Sequence, residues 1–151
     1  MHDKLAIVLN GGGARSCYQA GALRALYEII KKDQNLFDII TGNSAGAINA
    51  SFLASSARDW GTSTQYLYDF WQRIYPENVY DMEHFTMKKI GTNWLKDTLF
   101  KNPTPDTMFN SILNTTPLKK LLNREIEFSE IRRLIKSKLL SSVALTATNY
   151  Y

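Results

Sequence analysis

Residues 42–46 read Gly42-Asn43-Ser44-Ala45-Gly46, a serine between two glycines in the spacing G-x-S-x-G. At average glycine and serine usage a chain of this length contains that pattern by chance roughly one time in twenty, so its setting has to carry the argument. The short, partly β-branched run Phe37 to Thr41 precedes it, and the small-residue stretch Ala45 to Ser56, with Ile48, Phe52 and Leu53, follows. A strand turning sharply into a helix would hold Ser44 in a strained backbone conformation, and glycines at the flanking positions remove clashes with the strand and the helix. Ser44 Oγ would then project from the carboxyl end of a sheet, placed to attack an acyl carbonyl. The Ala45 N–H, at the positive end of the helix, would meet the developing oxyanion. The blander alternative is a serine that only caps a helix between two packing glycines.

Gly11-Gly12-Gly13-Ala14-Arg15 supplies a second chemical signal. Three glycines in a row leave backbone N–H groups unshielded, so a negatively charged oxygen can approach them, either as a bound phosphate or as an oxyanion. The P-loop pattern fails because no Gly-Lys-Ser/Thr follows at its spacing. The dinucleotide fingerprint requires a third glycine where Ser16 stands and an acidic residue where Thr41-Gly42 ends the second strand. A nucleotide- or phosphate-binding α/β module using Gly11 to Gly13 remains the alternative to an acyl-transfer site. Arg15 would position the loop, meet an anionic headgroup or serve as a solvated ion-pair partner. Cys17 reads as a small buried hydrophobe, and Gln19 and Gly21 as helix-packing residues.

The elements that must position these residues follow from periodicity. Residues 4 to 9 are a continuous apolar run, expected as a strand buried on both faces that ends in the glycine turn. From Tyr18 to Lys32, Ala20, Leu23, Tyr27 and Ile30, with Leu26 beside them, mark one face of a helix. Strand, helix, strand, helix in that order implies parallel strands joined by crossovers. Leu67, Phe70, Trp71 and Ile74 give a further amphipathic helix ended by Pro76. The stretch from about 76 to 114 is read as an irregular, lid-like insertion with a Pro103-Thr104-Pro105 break. Thr116-Pro117 opens a short helix through Leu122, Ser129 is expected to cap the next, with Ile131, Leu134, Ile135 and Leu139 on its apolar face, and Val143 to Thr148 resumes as strand. The fold class is therefore α/β, a three-layer α/β/α arrangement with a mainly parallel sheet, and residues 1–151 read as the N-terminal portion of one domain, incomplete at its C-terminal side.

The glycine loop after the first strand and the serine turn some thirty residues later together resemble the patatin-like phospholipase family. The likeness is carried by Val8-Leu9-Asn10-Gly11-Gly12-Gly13-Ala14-Arg15, Tyr18-Gln19-Ala20-Gly21-Ala22-Leu23 and Gly42-Asn43-Ser44-Ala45-Gly46-Ala47, and Leu118 to Asn149 is also similar to the family. The resemblance implies hydrolysis of a phospholipid or other lipid ester by a Ser-Asp dyad without histidine, with Ser44 as nucleophile, Gly42, Asn43 and Gly46 forming its elbow, and Gly11, Gly12, Gly13, Ala14 and Arg15 with Ala45 as the oxyanion hole. Only His2 and His84 are present, so a Ser-His-Asp triad has poor candidates. Two departures stand out. Ser16 occupies a position where many members have glycine. None of Asp3, Asp33, Asp38, Asp59, Asp69, Asp81, Asp97 and Asp106 is followed by glycine, whereas the family's dyad aspartate lies in Asp-Gly-Gly or Asp-Gly-Ala. The dyad aspartate is thus expected outside these 151 residues, and a catalytically inactive interaction domain that keeps the fold is a third reading.

Composition bounds the partners. Hydrophobic residues make up 44% and charged residues 21%, enough for one core. A net charge of +4, from 18 Lys and Arg scattered without a dense block, gives no reason to expect nucleic acid. Phe85, Trp94 and Phe100 among Lys88, Lys89, Lys96 and Lys101 would suit a peripheral contact with a lipid surface, although half-buried aromatics explain the same pattern. No metal or organic cofactor is implied. The lone Cys17 calls for no oxidising compartment, and no export signal or membrane-spanning run is visible, so a cytoplasmic location is the default expectation, with signal-less secretion compatible with the same features.

Overall fold

A computed structural model describes residues 3–79 and 116–147. The chain divides into two compact units, Met1–Arg73 with Glu125–Asn149, and Ile74–Arg124 with Tyr150–Tyr151. Both chemical motifs belong to the first unit.

Three strands, β1 (Ala6–Leu9), β2 (Ile39–Asn43) and β3 (Ser142–Thr146), form a parallel sheet in the order β1-β2-β3. Ala6 pairs with Ile39 and Leu9 with Gly42, while Ile39 pairs with Ser142 and Asn43 with Thr146. A crossover through α1 (Cys17–Ile30) joins β1 to β2. The α/β class and parallel sheet expected from the alternating pattern are therefore present. Asp38 ties the strands together at their amino ends: its carboxylate accepts from the Leu5 N–H at 2.9 Å and its carbonyl from the Ser141 N–H at 2.7 Å.

Helix α2 (Ala45–Ser55) lies directly on the sheet, and its buried residues, Gly46 and Asn49 through Ala54, run around its whole circumference. A helix of alanine, serine and glycine is narrow enough to be enclosed this way. Helix α3 (Trp60–Arg73) packs on both α1 and α2. Phe52 meets Phe70 with ring centroids 4.5 Å apart, and Phe37 meets Trp60 edge-on at 5.2 Å. Gly61 brings α3 against α1, since a Cβ there would fall 2.7 Å from Tyr27 Cζ. In the second unit α4 (Pro76–Val79) and most of α5 (Thr116–Glu125) are described, and α6 (Phe128–Lys136) returns to the first unit to pack on α2.

Several expectations are corrected. β1 is not buried on both faces: Val8 is 69% exposed and Ala6 is exposed, because α2 covers the face that carries Leu9, Ile40 and Gly42 while the Ala6, Val8 and Ala144 face is open among the described residues. The second strand begins two residues later than expected, and Phe37 goes into the core beside Trp60. Pro76 does not simply follow a helix end; α3 stops at Arg73 and Pro76 opens α4, where a missing N–H costs nothing. Ser129 is not the N-cap of α6. That position is Glu127, whose carboxylate accepts from the Ser129 N–H at 3.3 Å. Leu140, at 1% exposure, fills the core position assigned to Leu139. Cys17 is exposed rather than buried. Most of the 76–114 insertion, with its aromatics, its lysines and His84, and the strand's expected end at Thr148 lie outside the described residues.

Candidate functional site

Ser44 ends the central strand. Its backbone has φ 52° and ψ −127°, a positive-φ conformation outside the left-handed helical well occupied by Lys31 at φ 50°, ψ 42°. A non-glycine residue held there costs on the order of 1–3 kcal/mol, so surrounding structure must over-determine it. The Ser44 N–H donates to the Thr146 carbonyl at 3.1 Å, tying the turn to β3, and the Ser44 carbonyl accepts from the Ala47 N–H at 2.9 Å, starting α2. Gly42 and Gly46 make the sharp turn sterically feasible. A Cβ on Gly42 would fall 2.8 Å from Ala50 Cβ, and one on Gly46 would fall 2.7 Å from the Asn10 carbonyl oxygen, each with a still closer backbone clash. Strand, turn and helix can therefore approach only where no side chain intervenes.

The glycine loop lies against this turn. A Cβ on Gly11 would come within 2.9 Å of Ser44 Cβ and 3.6 Å of Ser44 Oγ, and the Gly11 N–H donates to Asn43 Oδ1 at 2.6 Å. Asn43 thus links the loop to the serine turn. Residues 13–16 form a 3-10 turn, with the Arg15 N–H on the Gly12 carbonyl at 3.2 Å. Gly13 has φ 56°, the left-handed region that favours glycine. The N–H groups of Gly12, Gly13, Ala14 and Ala45 donate to no acceptor among the described residues. The N–H groups of Gly11 and Arg15 are already used, which separates two positions of the expected oxyanion set from the other four.

Ser44 is exposed, and its hydroxyl has no hydrogen-bond partner among the described residues. No described aspartate is engaged with it. Asp38 is at the opposite, amino end of β2; Asp33 accepts from Tyr27, Asp59 from Thr62 and Asp69 from Gln65. Arg15 is exposed and forms no ion pair among the described residues, so its charge is free beside the loop. No cluster of three His, Cys, Asp or Glu with metal-binding geometry occurs among the described residues, and none of their helices is long and apolar enough to cross a membrane.

Sequence reasoning missed Asn49 and Trp71. Asn49 is fully buried in α2; its Nδ2 donates to the Ser16 carbonyl at 3.0 Å and to Gln19 Oε1 at 2.8 Å, while Oδ1 accepts from Trp71 Nε1 at 2.7 Å. Gln19 Nε2 donates in turn to the Asn10 carbonyl at 2.7 Å. A lone amide on a helix otherwise built of small and apolar residues was the available signal, since a buried amide must find partners. A shallow cavity of about 530 Å³, lined among others by Arg24, Tyr27, Asp33 and Asp59, lies between α1 and α3. Its lining includes neither Ser44 nor any residue of the glycine loop.

A parallel sheet with helices, whose central strand ends in a strained serine beside a glycine loop, defines an α/β protein. The family model of the patatin-like phospholipases matches residues 7–150, and the chain belongs to that family. No curated protein and no solved structure matches it. Membership gives the chain its general chemistry, that of lipid acyl hydrolases acting on lipid substrates.

Proposed function

We propose that the chain carries the nucleophile and oxyanion-binding half of a lipid acyl hydrolase that uses a Ser-Asp dyad. Ser44 Oγ attacks the ester carbonyl of a phospholipid or other lipid, forming a C–O bond, while an aspartate takes the hydroxyl proton. The tetrahedral oxyanion is met by the N–H groups of Gly12, Gly13, Ala14 and Ala45. Collapse breaks the ester C–O bond, and the departing oxygen takes the proton from the aspartic acid to leave as the alcohol. The aspartate then takes a proton from water, which attacks the acyl-serine, and returns it to Ser44 Oγ as the fatty acid is released. The observation that carries this reading is the pairing of a strained Ser44 with a loop whose Gly11 leaves room for nothing larger than hydrogen next to the serine.

The aspartate is proposed to lie outside these 151 residues, because none of the eight present is followed by glycine and the four described ones with hydrogen-bond partners are all engaged away from Ser44. The free loop N–H groups would also suit a phosphate, but a binding module has no use for a serine held at a conformational cost. Treatment of the full-length protein with a fluorophosphonate should label Ser44, and Ser44→Ala should abolish both labelling and ester hydrolysis while leaving the far-ultraviolet circular dichroism unchanged. Labelling that survives the substitution overturns the assignment.

A further inference from the structure

We infer that Gln19, Asn49 and Trp71 form a hydrogen-bond relay that fixes the glycine loop relative to Ser44, and that they act as positioning residues for oxyanion stabilisation. The inference rests on Ser44 being the nucleophile. Oxyanion donors from two separate segments, the loop and the start of α2, are useful only if the distance between them is fixed before the reaction begins. Three consecutive glycines give the loop little rigidity of its own. Asn10 and Ser16 bracket the loop, and both of their carbonyls are held by the relay, Asn10 by Gln19 Nε2 at 2.7 Å and Ser16 by Asn49 Nδ2 at 3.0 Å. Asn49 lies on α2, the helix whose first residue, Ala45, offers the other N–H. The two halves of the proposed oxyanion site are therefore joined through one side chain.

The amide orientation is fixed by its neighbours. An indole N–H can only donate, so the Asn49 oxygen faces Trp71, which leaves both Nδ2 hydrogens for Gln19 and Ser16. Every hydrogen-bonding group of this buried amide points at the relay, and α3 supplies the anchoring indole. If that anchor is removed, the amide is free to rotate and the loop loses its reference to α2.

The test uses the full-length protein and a p-nitrophenyl fatty-acid ester, with Ser44→Ala as reference. Gln19→Leu keeps the side chain's bulk at a half-buried position and removes both of its hydrogen bonds, and Trp71→Phe removes the indole donor. Each should lower kcat about tenfold with KM changed less than about twofold, because only the transition state needs the loop in register. The rate of fluorophosphonate labelling should fall in parallel, and the double variant should lose less than the product of the single losses, because both act on one unit. Asn49→Asp, which keeps the oxygen for Trp71 and loses both donors, should show the same kcat loss if it folds; the half-buried Gln19 variant decides the matter if it does not. An inactive Ser44→Ala together with a folded Gln19→Leu of wild-type kcat overturns the relay and leaves the nucleophile standing. A change in KM alone also overturns it. Undiminished turnover by Ser44→Ala overturns the nucleophile and the relay with it.

Discussion

The three loop glycines are alike in sequence and differ in what surrounds them. A Cβ on Gly11 would collide with Ser44 Cβ at 2.9 Å and come within 3.6 Å of its Oγ. A Cβ on Gly12 meets nothing nearer than Ser16 Oγ at 3.5 Å, and one on Gly13 meets nothing within 4 Å. Gly11→Ala should therefore lower kcat by roughly 10²-fold or more, on the scale of losing an oxyanion contact, by displacing the serine from the loop. Gly12→Ala should fold normally and lose much less. Gly13→Ala should show its effect chiefly as lower stability, about 1–2 kcal/mol, since only its positive φ opposes a side chain. Steady-state kinetics and melting curves on the three variants check this order, and equal losses at all three positions would contradict it. Ser16 offers a stability test of a different kind. Its hydroxyl is buried at 2% exposure and has no partner, so Ser16→Ala should leave stability unchanged or raise it by about 1 kcal/mol, read as an increase in Tm. Ser44, Gly42 and Gly46 were legible in the sequence because a strand-to-helix turn needs small residues at fixed spacing. Asn49 was not, because its partners lie at Ser16, Gln19 and Trp71, and no local pattern links positions so far apart.

Elements were legible where periodicity was strong and misplaced where side-chain chemistry chose the boundary. α2 ends one residue short of its expected span of Ala45 to Ser56, whereas α3 stops at Arg73, before Ile74 and Pro76, and α6 is capped by Glu127 instead of the expected Ser129. Serine is the commoner cap, but here it acts as donor: the Ser129 hydroxyl donates a hydrogen bond to Glu127 Oε1 at 2.5 Å. Asp59 caps α3 in a similar way, accepting from the Thr62 N–H at 2.9 Å and from the Thr62 hydroxyl at 2.9 Å. These bonds favour the ionised carboxylates: the Thr62 backbone and side-chain bonds hold Asp59 below its ordinary pKa, and the Ser129 bonds do the same for Glu127. A carboxyl whose pKa is depressed by folding stabilises the native state at pH above its unfolded value, and that contribution is lost as pH falls through the folded value. Asp59→Ala and Glu127→Ala should each lower Tm at neutral pH, and the gap from wild type should close as pH is taken from about 5 to about 2, across and below the usual carboxyl range. Thermal melts over that range check it, and a gap that stays constant would show that the caps act through something other than the charged carboxylate.

At the scale of the whole molecule, the parallel sheet and its covering helix could be read from alternating strand and helix patterns, but the open face could not. The run from Lys4 to Leu9 looks the same whether one side or both are covered, and only the positions of the helices decide that Val8 is exposed. The same scale governs catalysis. An unassisted serine hydroxyl is a poor nucleophile near neutral pH, and losing one member of a catalytic pair removes several orders of magnitude of rate. Asp33, Asp38, Asp59 and Asp69 are each engaged elsewhere, and Asp38 is at the far end of the strand that carries Ser44. Residues 1–151 alone should therefore turn over lipid esters at least about 10³-fold more slowly than a chain that includes an Asp-Gly motif able to reach Ser44. In that longer chain, changing the motif's aspartate to asparagine should remove the activity again, because an amide cannot accept the serine proton. Assaying the two chains side by side at matched folded concentration, judged by circular dichroism, checks the expectation. Robust Ser44-dependent turnover by the 151 residues would mean that a residue already within them accepts the proton, with His84 the first to replace, and the dyad would have to be abandoned.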